Sequence, residues 1–179
     1  MANVSGTLNL GANFSQQISS GVIADYSIPA NLALNLTLGN GTSAGKVDLC
    51  YAKKLNLAGS ATTLDLSSIA DVSGATVNFA RVRLLIVQNL ATTAGYTVTL
   101  GSAASNQWTG FLGTSTSTVI VPPNVGATAN QSLFLFTDLY SVGASTGAYV
   151  DGTHKSFKID PGANTLDINL LILGCSAAS

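Results

Sequence analysis

The chain has 179 residues with no glutamate, one histidine, one tryptophan and one methionine, and 8% of its residues are charged where about 25% is usual. Each absence excludes a chemistry. A pair of carboxylates for glycoside cleavage would have to come from the eight aspartates, without a glutamate or a second tryptophan to furnish the groove. A nucleophilic hydroxyl needs a base within reach, and His154 alone could supply an imidazole. One histidine beside Asp151, with no second histidine, is read as a solvent-exposed turn residue in preference to a metal ligand. Calcium held by aspartates and loop carbonyls is the nearest approach to a metal site, and no cofactor or metal is expected. The Gly-rich segment Gly39-Asn40-Gly41-Thr42-Ser43-Ala44-Gly45 matches neither phosphate-loop spacing and leads into a strand, so it is a hairpin turn. Non-enzymatic function follows from this inventory.

Seven Lys or Arg against eight Asp give a net charge of −1. Such a chain has no field to draw in a phosphate backbone or an anionic membrane, so neither nucleic acid nor a lipid surface is an expected partner. No run approaches the roughly 18 apolar residues of a transmembrane helix. Met1 to Gly6 shows no basic segment leading into an apolar one, and a chain held in the cytosol until assembly is expected. In that compartment Cys50 and Cys175 are read as two buried or idle thiols. A surface of Ser, Thr, Asn, Gly and Ala around a 46% hydrophobic chain favours close protein contact and a homo-oligomer.

What is present is alternation. Leu32, Leu34, Leu36 and Leu38 occupy every second position, and the same period returns at Val47-Leu49-Tyr51, Val82-Leu84-Ile86, Tyr96-Val98-Leu100 and Leu166-Ile168-Leu170-Ile172. Strands are predicted at 46–57, 62–66, 77–89, 95–100, 117–121, 132–137, 154–159 and 165–173. One helical turn is predicted at 66–71, and Pro122-Pro123 ends the strand before it. The strand at 165–173 is apolar on both faces after Leu170 and belongs in the middle of a sheet. The fold class is all-β: an antiparallel β-sandwich, jelly-roll-like. Residues 44–179 form that domain. Residues 1–43, with no Lys or Arg and one Asp, are an N-terminal arm docking on a neighbouring subunit, or the first strands.

Six residues are candidates for contact with a partner. Leu34 and Leu36 lie on the arm's apolar face. Arg81 and Arg83 share a strand face with Val77 and Phe79, opposite Val82, Leu84 and Ile86, and either meet a partner's carboxylates or carbonyls or pair with aspartates of the same chain. Trp108 and Phe111 either plug one end of the sandwich or form an interface hot spot.

From Lys46 to Gly174 the chain resembles small virion structural proteins of tailed bacteriophages. The likeness is carried by Leu64-Asp65-Leu66, Phe79 to Asn89, Ala104 to Trp108, Val121-Pro122-Pro123 and Ile168 to Gly174. The resemblance implies an all-β domain with a structural role in the particle. The expected function is capsid decoration, as a trimeric cement protein on the capsid surface, bound to the major capsid protein or other virion proteins and assembled in the host cytoplasm. A tail, fibre or head-fibre component is the alternative within the particle. An alternative of another class is a carbohydrate-binding module using Trp108 with Tyr96 or Tyr149.

Overall fold

The computed structural model describes residues 4–20, 23–125, 132–138, 141 and 148–177, and for residues 6, 8, 10–20 and 23–34 the backbone alone. The described residues form β1 (Gly6–Ser20), β2 (Ile23–Asn40), β3 (Lys46–Val47), β4 (Leu49–Ala58), β5 (Thr62–Asp65), β6 (Ile69–Ala70) and β7 (Thr76–Val77). They continue as β8 (Arg81–Asn89), β9 (Val98–Gly101), β10 (Thr118–Val121), β11 (Leu133–Thr137), β12 (Ser156–Asp160) and β13 (Thr165–Cys175). No helix occurs among them. Alternation and β-branched content thus produce the all-β chain that they predict.

Two four-stranded antiparallel sheets, ordered β11-β8-β13-β4 and β10-β9-β12-β5, make a sandwich. One contributes Tyr51, Leu85, Val87, Ile168 and Ile172 to the core, and the other Val98, Leu100, Val121, Phe157 and Ile159. β13 is paired along both edges, with β8 and with β4, as its two apolar faces require.

Strict alternation fails in β8. Its register with β13 passes from Leu173 opposite Leu84 to Gly174 opposite Val82, so Arg83 is an extra residue, a β-bulge. A one-residue shift exchanges the faces of everything beyond it. Val82 therefore joins Leu85 and Val87 in the core. Ile86 pairs with Leu171 and faces outward with it, correcting the sequence expectation that Val82, Leu84 and Ile86 share a side. Gly174 stands at the irregularity because a Cβ there would collide with the Arg81 carbonyl and the Phe79 ring.

The turns are built by aspartate. Asp65 accepts the Ser67 N–H at 2.9 Å, Asp71 that of Ser73 at 2.8 Å, Asp151 that of Thr153 at 2.7 Å and Asp160 that of Gly162 at 2.8 Å. This short-range bonding competes with helix. At 66–71 it replaces the predicted helical turn with a tight turn and the β6–β7 pair.

β1 and β2 lie outside both sandwich sheets. They form an antiparallel ribbon, and β2 continues into parallel pairing of Gly39 and Asn40 with β3. At about 3.3 Å per residue the ribbon is on the order of 45–50 Å long. Its register sets Leu8 opposite Leu36, Leu10 opposite Leu34 and Ala12 opposite Leu32. The intervening pairs are Asn9 with Asn35, Asn13 with Asn31 and Gln17 with Ser27. Since directly opposite residues share a face, one face of the ribbon is apolar in composition and the other polar. The root is fixed by a small core of Leu38 and Val47, with Val4, Leu36 and Leu173 against it.

Ile168→Ala, in the fully buried centre of β13, should cost about 2–5 kcal/mol. Leu133→Ala, on a half-exposed edge position, should cost less than about 1 kcal/mol. Urea unfolding of the two variants checks the contrast.

Candidate functional site

Arg81 and Arg83 are fully buried, which removes them from the surface where a partner would meet them and selects pairing within the chain. Arg81 Nη1 lies 3.6 Å from Asp138 Oδ2. The bulge presents both ends of Arg83 to the segment after β11: its carbonyl accepts the Asp138 N–H at 2.9 Å, and its Nη1 donates to the carbonyls of Asp138 at 3.2 Å and Ser141 at 2.6 Å. Asp138 Oδ2 also accepts the Ala148 N–H at 2.7 Å. Burial holds the Arg81 guanidinium below its ordinary value, the adjacent Arg83 charge acts in the same direction, and Asp138 opposes both. The cluster ties Asp138, Ser141 and Ala148 to the end of β8. Cys175, buried beside it, has its thiol raised by burial and directed at the Lys46 carbonyl, 3.2 Å away at the root of the ribbon. Both cysteines are free, Cys175 buried and Cys50 exposed.

Trp108 is 1% exposed and is the core plug of the two readings open for it. Its ring meets Phe111 at 5.4 Å, Phe157 at 5.8 Å and Phe136 at 6.0 Å, in edge-on arrangements that ring quadrupoles favour. Phe111, half-buried, continues the cluster to Phe134 at 5.0 Å. Gly110 permits this packing, since a Cβ there would stand 2.5 Å from the indole.

His154 is half-buried, not exposed as expected. Its Nδ1 lies 3.1 Å from Asp151 Oδ1, its Nε2 lies 3.1 Å from the Tyr149 hydroxyl, and the two rings are 4.7 Å apart. A carboxylate, an imidazole and a phenol in series are a minimal proton chain, but each is held by the turn it builds. The other aspartates with described side chains are engaged likewise: Asp48 caps Ser176, Asp65 binds Lys155 at 2.7 Å and Asp167 binds Lys54 at 2.7 Å. Among the described residues, no group of three His, Cys, Asp or Glu is placed to hold a metal.

The surface feature that sequence reasoning missed is a groove of about 600 Å³ on the outer face of the β11-β8-β13-β4 sheet. Ile86, Leu133, Leu171 and Ala52 line it, Val72 overhangs it from the β6–β7 turn, and Lys53, Lys54, Gln88 and Asn169 complete its wall. Val72 is 75% exposed and Leu133 47%. The signals were a large aliphatic inside the Asp71–Gly74 turn, and a strand whose Leu133 and Leu135 alternate with Phe134 and Phe136 so that both faces are apolar. Leu36 is half-buried at the ribbon root; the side chain of Leu34 lies outside the described residues.

Asp138→Ala should destabilise the chain by about 3–5 kcal/mol in urea unfolding, because the Arg81 charge then stays buried without its counter-ion. A second expectation concerns acid. Asp65, Asp71, Asp151, Asp160 and Asp167 are all held below the ordinary carboxylate value, Asp151 at about 2 chiefly by the Thr153 N–H. Folded values below unfolded ones contribute stability that is complete above about pH 4 and lost as pH falls through the folded values. The melting temperature, followed from neutral to strongly acid buffer, should fall mainly below about pH 4.

The chain matches no protein-family model, no curated protein and no solved structure.

Proposed function

We propose that the chain is a structural component of a virus particle, a capsid decoration (cement) protein that reinforces the head lattice through protein contacts. The observation that carries this reading is a closed sandwich whose described aspartates and two arginines are engaged internally, joined to a ribbon with one charged residue, Asp25, and one apolar face. A body with that inventory offers contact area and no turnover. The strand order adds support. Taken in sequence, β4, β5, β8, β9, β10, β11, β12 and β13 pass between the two sheets so that β4-β13-β8-β11 face β5-β12-β9-β10. We read this as jelly-roll wrapping, an arrangement common in capsid proteins and lectins, which bears on function by analogy. The likeness of residues 46–174 to phage virion proteins points the same way.

The carbohydrate-binding reading loses its principal residue, because Trp108 is in the core and Tyr149 lies against His154. A tail or fibre component would use the same contacts and differs in its place on the particle.

Heads lacking their decoration should bind the full chain saturably and withstand higher temperature once coated. Leu34→Ser with Leu36→Ser removes two aliphatic side chains, about 3–6 kcal/mol of burial if both are covered in the attached state. Attachment should then be lost, with the body's melting temperature measured in parallel because Leu36 also packs at the root. Failure of the intact chain to bind heads, together with saturable binding to tails or to glycans, would sink the decoration reading.

A further inference from the structure

We propose that the apolar face of the β1–β2 ribbon of one copy lies in the outer-sheet groove of a second copy, so that the chain assembles head to tail with itself. Three observations select this occupant. The first is that the groove continues a surface already joined to the ribbon: Leu171 lines the groove, and Leu173, two residues along β13 on the same face, packs with Leu36 and Leu38 at the ribbon root. Beyond that root, the ribbon's alternation of Leu10 with Leu34 and Ala12 with Leu32 repeats the same chemistry. The second is charge. Residues 1–43 have no Lys or Arg and a single Asp, at 25, while the groove wall carries Lys53 and Lys54, so approach meets no like-charge barrier.

The third is area. A two-stranded ribbon is about 10 Å wide, and over about 45 Å its face has a footprint on the order of 450 Å². Each head-to-tail contact thus buries on the order of 450 Å² on each partner, about half that of a standard stable complex, and closure into a ring, where every copy gives one ribbon and receives another, doubles the area buried per copy. A two-stranded hairpin alone is marginal in water, which makes cover for its apolar face a condition of its order. The contact is heterologous, so it closes into a ring if the rotation permits. It holds whether or not the assembly sits on a capsid.

The experiment is sedimentation velocity on the purified full chain and two double variants. Leu10→Ser with Leu34→Ser alters the ribbon and spares the root. Val72→Glu with Leu133→Glu alters the groove at two exposed positions, and unchanged circular dichroism shows that the body remains folded. The intact chain is expected to sediment as an oligomer and each variant as a monomer. An equimolar mixture of the variants should give a dimer, since it holds one intact ribbon and one intact groove. A groove variant that keeps the intact chain's size would mean that ribbons pair with one another, and the proposal would fall. It would fall equally if the intact chain were monomeric, if the mixture stayed monomeric, or if the intact chain partitioned onto lipid vesicles in place of self-assembly. Loss of head binding with self-assembly retained would count against the decoration reading alone.

Discussion

The extra residue in β8 governs the rest of the architecture. Because Arg83 has no counterpart in β13, the strand enters with Val82 turned to the core and leaves with Leu85 and Val87 turned there instead. Everything beyond the bulge inherits that shift: Asn89 reaches inward and donates to the Tyr96 and Val121 carbonyls, while Ile86 and Gln88 reach outward to the groove. On the other side of β8 the Arg83 carbonyl accepts from Asp138, one residue beyond the Thr137–Leu84 pair. One insertion sets the buried cation pair, the loop it holds and the outer surface together.

A chain with so few charges spends them on its own structure. Seven aspartates with described side chains each accept from a neighbouring turn or bind a cation of the same chain, and the two arginines serve as carbonyl and carboxylate partners in the interior. The cost of burying guanidinium groups is offset only in part by these contacts, since Arg83 Nε and Nη2 are buried without a hydrogen-bond partner, and replacing one partner is far more damaging than exchanging a surface pair. What remains outside is a hydroxyl- and amide-rich surface interrupted by the aliphatic groove and the ribbon.

The strands and their order along the sequence were legible because a half-buried strand writes its burial in a period of two, as Leu166 to Ile172 does. β13 could be placed centrally for the same reason. The fate of Arg81 and Arg83 was not legible, since a bulge depends on the register of a partner some ninety residues away and the counter-ion, Asp138, comes from another segment. The Leu66–Asp71 turn was misjudged because its composition was weighed as helix when the Asp65–Ser67 and Asp71–Ser73 pairs already encoded turns. Trp108 carried both of its readings in the sequence, and the phenylalanines from β11 and β12 that decide between them are distant in it. The groove was hidden because its lining comes from four strands and a turn.

The root of the ribbon has a mechanical consequence. A pull on the distal end is delivered through Gly39 and Asn40 to β3, and through Asp48 to the Gly174 carbonyl of β13, a strand bonded along both edges. Such a strand cannot be peeled from one side as an edge strand can; its hydrogen bonds have to be broken as a group. The ribbon is thereby anchored in a strand of the sandwich that is held along both edges, so a load on it is shared by the whole sheet.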